Sequence, residues 1–172
     1  PISIFLIMEI LKIPEKYWKQ VHKIFLADGD AAIYPTEGLI KILEQINESF
    51  PNLNRVSAYA DPHAILSKNE EEWSQLRKLN LKLLYFGLES GNRVVLDLMN
   101  KGMDPLEMQR AIQKLRGLGI IFSVMVILGG GGKQYSEAHA IDSGKWITEV
   151  NPEFCSLLTL FIRRKKNYFE KI

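Results

Sequence analysis

Three segments of the chain put small or acidic residues directly after an apolar run: Ala27-Asp28-Gly29-Asp30, Gly87-Leu88-Glu89-Ser90-Gly91, and the four glycines Gly129 to Gly132. Asp28 and Asp30 flank a glycine that lets the backbone turn tightly, which leaves carbonyls and carboxylates free to accept hydrogen bonds from a cation such as an ammonium. The same residues are favourable turn formers, and composition leans towards that plainer reading. Glu89 and Ser90 offer a carboxylate and a hydroxyl suited to the hydroxyls of a sugar or a polar ligand tail. Equally, Ser90 or Asn92 serves as the N-cap of a following helix with Glu89 solvated. Each glycine of the run 129–132 costs up to about 1 kcal/mol of ordering relative to alanine in a regular element, so the run predicts a close approach to the backbone. It fits neither the dinucleotide fingerprint nor the P-loop, since Gln134 follows Lys133.

Other reactive side chains carry less. His22, His63 and His139 fall in a predicted strand, turn and helix without metal-ligand spacing and read as structural or surface residues. A single cysteine, Cys155, excludes an intramolecular disulfide and an all-cysteine metal site built from this chain, and implies a cytosolic (cytoplasmic) compartment. Lying in an apolar run, it reads as a small buried hydrophobe. No Gly-x-Ser-x-Gly elbow is present. The net charge of +2 gives no electrostatic argument for nucleic acid, and the cluster Arg163, Arg164, Lys165, Lys166 reads as a solvated tail. The apolar run Ile2 to Ile10 contains Glu9, lacks a preceding basic residue and falls short of the roughly 20 residues of a membrane span, so neither a signal peptide nor a membrane helix is expected.

The elements that must position these residues alternate. Candidate strands are 21–27, 55–60, 81–88, 120–128 and 154–162. Between them lie a helix opened at Tyr34-Pro35-Thr36-Glu37, with Leu39, Ile42, Leu43, Ile46 and Phe50 in helical period, and a helix with Trp73, Leu76 and Leu79 started by a capping-box spacing at Ser67 to Glu70. A short helix bears Val95, Leu98 and Met99. A longer one, capped at Asp104-Pro105-Leu106-Glu107, places Met108, Ile112 and Leu115 inward, and Tyr135 to Val150 forms the last. The unit repeats about every thirty residues, the length of one right-handed βα crossover. The expected fold is α/β: a partial (β/α) TIM-like barrel of parallel strands with about five βα units, since a closed barrel takes about 250 residues. In such sheets ligands bind at the carboxyl ends of the strands, where all three segments fall. The expected organisation is an N-terminal edge at 1–20, a barrel core at 21–162 and a basic tail at 163–172. Residues 1–20 read as a helix, with Ile10, Leu11, Ile13, Tyr17 and Trp18 in register.

The order and spacing of these segments resemble the radical S-adenosylmethionine superfamily, in particular the branch of the oxygen-independent coproporphyrinogen oxidases and the Elongator catalytic subunit, over about residues 21 to 160. Asp28-Gly29-Asp30 resembles the family's Gly-Gly-Glu motif, which binds the methionine amino group. Gly87-Leu88-Glu89-Ser90 is similar to the motif contacting the ribose or methionine end of the cofactor. Lys101, twelve residues beyond Glu89, stands where relatives carry an arginine facing the cofactor carboxylate. The resemblance further implies that Ser123 and Met125 point towards the ligand and that Ile127 to Gly130 packs on adenine.

In that family three cysteines of a Cys-x-x-x-Cys-x-x-Cys loop hold a four-iron four-sulfur cluster, which reduces S-adenosylmethionine to methionine and a 5′-deoxyadenosyl radical. No such loop occurs here, so the cluster is expected only in a parent protein, and this polypeptide, which starts at Pro1, is expected to be an inactive fragment or damaged product. Asp30, Glu89, Ser90 and Lys101 would then position the cofactor and not act as acids or bases. Two other readings stay open: a metal-dependent or acid/base barrel enzyme using Asp28, Asp30 and Glu89, and a non-catalytic remnant of the fold. The partner implied is a small-molecule cofactor, with association through exposed sheet edges and an unassigned substrate.

Overall fold

The computed structural model describes residues 12–27 and 29–161. Five parallel strands form one sheet in the order β1-β2-β3-β4-β5, namely Lys23–Leu26, Arg55–Tyr59, Leu81–Glu89, Ile121–Leu128 and Phe154–Thr159. Sequential order in a parallel sheet follows when each strand is joined to the next by a helix of the same crossover hand. The helices are α1 (Thr36–Ser49), α2 (Pro62–Ser67), α3 (Glu70–Lys78), α4 (Arg93–Leu98), α5 (Pro105–Arg116) and α6 (Ser136–Val150).

The chain packs as two compact units. The first runs to Leu84 and includes Leu115–Ile121; the second holds Tyr85–Lys114 and the chain from Phe122 on. In the first, β1 pairs with β2 in the register Lys23↔Arg55 to Leu26↔Ala58. The apolar stripe expected of α1 is buried at Leu39, Leu43 and Ile46, with Phe50 beyond the helix end, and α1 packs against α3 through the fully buried Trp73 and Leu76 layer. Removing one such side chain from water stabilises the fold by roughly 1.5–3 kcal/mol. Polar ties fix the same packing: Thr36 Oγ1 donates to Glu72 Oε1 at 2.5 Å, and Asn47 Nδ2 donates to the Leu79 carbonyl at 3.0 Å while its Oδ1 accepts from Asn80 Nδ2 at 2.7 Å.

In the second unit the core centres on Phe86, which meets Phe122 edge-on at 6.3 Å and stacks with Trp146 at 6.4 Å. Trp146 Nε1 donates to the Pro105 carbonyl at 2.8 Å, anchoring α6 to the start of α5. The capping box predicted at Asp104 and Glu107 is present in both directions, at 2.8 and 3.0 Å.

Three expectations are corrected. The box placed at Ser67 and Glu70 lies instead at Asn69 and Glu72, because Asp61 caps a separate turn of helix, α2, with Pro62 pre-set at its first position. Of the helix expected over residues 1–20, residues 1–11 lie outside the described residues; Glu15–Gln20 is a 3-10 turn. Trp18 there donates from Nε1 to the Ile13 carbonyl and packs edge-on against Phe50 at 5.9 Å. Cys155 is exposed, because β5 is an edge strand on which Phe154, Leu157 and Leu158 are exposed as well. Partial desolvation raises its thiol pKa, which is the opposite of nucleophile activation. The basic cluster 163–166 lies outside the described residues.

Candidate functional site

Glu89 ends β3 with φ at 60°. Among the described residues the other non-glycine positions at positive φ are Asn80, Asn100 and Asn151. Asparagine tolerates that region through local hydrogen bonds, whereas a glutamate there costs about 1–2 kcal/mol and marks a backbone bent for a reason. The bend directs the carboxylate to Lys101, whose Nζ lies 3.6 Å from Oε1, with the two side chains 19% and 23% exposed in that order. Gly87 makes room for the pair: a Cβ at this position would run into Glu89 Oε1 and lie 3.4 Å from Lys101 Nζ. Sequence distance thus becomes contact, and the expected carboxylate and ammonium stand together at one strand end.

Ser90 turns the other way. It is fully buried, and its hydroxyl lies 2.8 Å from His139 Nδ1 while accepting the Asn92 N–H at 3.0 Å. Asn92 is the N-cap of α4, accepting the Val95 N–H at 3.2 Å. His139 Nε2 reaches the Ile127 carbonyl at 3.1 Å, so this histidine is a buried connector of strand ends. His139 was read in the sequence as a structural or surface residue and is a structural one, buried and hydrogen-bonded at both ring nitrogens. Its partner Ser143 was passed over, the spacing of a histidine and a serine four apart on one helix face being the available signal.

β4 carries Ser123, Met125 and Ile127 on one face, in register with Phe154, Ser156 and Leu158 of β5, opposite the face on which Phe122 meets Phe86. Ser123 is buried; Met125 and Ile127 are half-buried. After β4 the glycines have different reasons. Gly129 and Gly132 adopt φ of 87° and 55°, conformations that suit glycine. At Gly130 a Cβ would strike the Met99 methyl, and at Gly131 it would lie 2.8 Å from the Tyr135 carbonyl and 3.1 Å from His139. The close approach inferred from the glycine run is therefore made, at Gly130 and Gly131, by the chain itself. Gly129 stays exposed, with only the Leu160 side chain at 3.7 Å from a Cβ there.

In the first unit, Asp28 lies outside the described residues. A Cβ on Gly29 would meet open space. Asp30 follows β1 and accepts the Asp61 N–H at 3.3 Å. Burial raises its carboxyl pKa, opposed by that hydrogen bond, reinforced by the Asp61 charge and opposed again by Lys68. Lys68, 5% exposed, has its pKa lowered by burial, against the pull of Glu72 and Asp30. Asp61 and Lys68 are neighbours of Asp30 that sequence reasoning passed over. Among the described residues no three His, Cys, Asp or Glu side chains gather as a metal site, and no helix is long and apolar enough to cross a membrane.

The sequence matches the family model of the Radical SAM superfamily over residues 5–143, well over half of the chain. The chain belongs to the radical SAM superfamily. Among solved structures, coproporphyrinogen III oxidase from Escherichia coli, a radical SAM enzyme, is similar with a TM-score of 0.71 at 18% identity, over 90% of this chain and 35% of that one. Elp3 of the archaeon Methanocaldococcus infernus, with an N-terminal deletion, gives 0.69 at 16% identity, over 95% and 41%. Methylornithine synthase gives 0.64 at 14%, over 83% and 40%. At such identities the likeness speaks for the fold, and it makes this radical SAM chain a partial TIM-like barrel that spans about a third to two fifths of the length of those proteins. No curated protein matches the chain.

The family's two cofactors fare differently against these residues. A four-iron cluster held by three thiolates does not fit a sequence whose single cysteine lies on β5. S-adenosylmethionine fits by donor chemistry: a partly open carboxylate for hydroxyls, an ammonium for a carboxylate, and exposed backbone at Gly129.

Proposed function

We propose that this chain carries the S-adenosylmethionine-cradling part of a radical SAM oxidoreductase, and that its residues bind and orient the cofactor. Glu89 takes the ribose hydroxyls and Lys101 the methionine carboxylate. Ile127 and Gly129 form the edge on which adenine packs, with Ser123 and Met125 on the strand face leading to it and Gly130, closed off by Met99, shaping the turn behind it. Ser90 contributes by holding the backbone that follows Glu89. Asp28, Gly29 and Asp30 are read as the family's acidic loop for the methionine ammonium. The reductive cleavage typical of the family needs an electron from a cluster that this sequence's one cysteine does not hold, so binding, without turnover, is what the chain is expected to do.

One observation carries the reading: a glutamate held at φ 60° with its carboxylate 3.6 Å from a lysine, at a strand end of a family member. A binding group kept in a costly conformation is stability given up for a ligand. Calorimetric titration of the 172-residue chain with S-adenosylmethionine and with 5′-deoxyadenosine tests it. One-to-one binding is expected. Glu89→Gly, which suits the left-handed backbone, should leave the melting temperature unchanged or higher while weakening binding at least tenfold. A wild-type chain that binds neither compound removes the reading.

A further inference from the structure

Residues 90, 91 and 92 are each fastened to α6. His139, 5% exposed, sets Nε2 3.1 Å from the Ile127 carbonyl and Nδ1 2.8 Å from Ser90 Oγ. A carbonyl only accepts, so Nε2 carries the proton and donates; Nδ1 is then the acceptor of the Ser90 O–H. Ser143, one turn on and also 5% exposed, accepts the Gly91 N–H at 2.8 Å, and its hydroxyl lies 3.5 Å from the same Nδ1. Asp142 Oδ2 accepts from Asn92 Nδ2 at 2.7 Å, and a Cβ on Gly91 would collide with the Asp142 carbonyl. The Ile127 carbonyl also accepts the Gly130 N–H at 3.1 Å, the bond that opens the glycine turn.

We infer that His139 is a positioning residue: its two ring nitrogens couple the segment after β3 to the segment after β4, and with Ser143 it holds Glu89 in its left-handed conformation. The role in cofactor binding rests on the function proposed above; the coupling itself does not. Glu89 would relax from its left-handed conformation unless the residues after it were pinned, and these buried bonds pin them. Only a rigid ring with one donor and one acceptor spans both partners. An asparagine amide reaches the Nδ1 position, and a glutamine amide reaches the Nε2 position.

Amide hydrogen exchange of the full chain, followed by NMR, tests the coupling. In His139→Leu the amides of Gly91, Asn92 and Gly130 should exchange at least tenfold faster, with β1 and β2 unchanged, and S-adenosylmethionine affinity should fall at least tenfold. His139→Asn should keep Gly91 and Asn92 protected and release Gly130; His139→Gln should do the reverse. This pair carries the comparison should the leucine variant fail to fold. Ring nitrogen shifts of the wild type should show the Nε2–H tautomer. Uniform acceleration along the chain, no acceleration at the three amides, or identical asparagine and glutamine patterns would overturn the inference. A wild type that does not bind the cofactor but exchanges as described would sink the proposed function and leave the coupling standing.

Discussion

Asp30 sits where burial favours its protonated form, above the ordinary value of 3.8, even though the Asp61 N–H and Lys68 both favour the charge. The folded chain therefore keeps this proton to a higher pH than the unfolded chain does. As pH rises from 3.8 through the folded-state pKa, the contribution of Asp30 to stability declines, and at neutral pH it is a net cost. Asp30→Asn retains a side-chain carbonyl for the Asp61 N–H and removes the charge. Its melting temperature at pH 7 is expected to equal or exceed that of the wild type, with a shallower fall as pH rises above 3.8 through the raised folded-state value. Thermal melts across that range decide it, and a lower melting temperature at pH 7 would mean that the attraction of Lys68 outweighs desolvation. If Asp30 binds an ammonium, the same substitution weakens cofactor binding while the fold gains, the trade expected of a binding residue. In the sequence Asp30 and Glu89 drew notice as carboxylates after apolar runs, with a turn or a solvated side chain as the plainer readings, and Lys101 only through the family resemblance. Their company was not legible: Lys68 is thirty-eight positions from Asp30 in the chain, and only the fold brings its charge to bear.

The helices at the site are short, so their ends matter more than their interiors. α4 has six residues and is marginal on its own; the Asn92 side chain accepts the Val95 N–H at its start and donates to Asp142 on α6. Asn92→Ala should cost about 1 kcal/mol for the cap, lowering the melting temperature by roughly 2–4 °C, and more if the tie to α6 contributes. Differential scanning calorimetry of the variant beside Asn92→Asp, which keeps the cap but loses the donor, separates the two. Element order and most element boundaries were legible because caps and periodicity are written in adjacent residues: Asp104 and Glu107, Gly119 at φ 73° after α5, and Asn151 at φ 47° after α6. The misplaced box at Ser67 shows the limit of such signals. Ser67 to Glu70 and Asn69 to Glu72 have the same spacing, and Ser67 is spent instead on the end of α2, where its hydroxyl donates to the Ala64 carbonyl at 2.8 Å.

At the scale of the molecule, β5 forms one edge of the sheet, and it exposes Phe154 by 50% and Leu157 by 63%. Among the described residues no strand pairs with the outer side of β5, and an uncharged, apolar edge of that kind is a template for association. The 172-residue chain is expected to self-associate with rising concentration, and Leu157→Lys should reduce this in sedimentation velocity without lowering the melting temperature. An unchanged distribution would place any association elsewhere. From its own residues the chain determined five strands, their alternation with helices, the polar groups at the strand ends and the lack of thiolates for a cluster, because hydrophobic period, capping and composition are local. Tertiary structure alone decided which of those groups remain available. Ser90 is taken by a histidine 49 positions away, and Gly130 and Gly131 are filled by Met99, Tyr135 and His139, whereas Glu89 keeps an open side. Partnership between distant side chains arises from packing, and no window along the chain contains it.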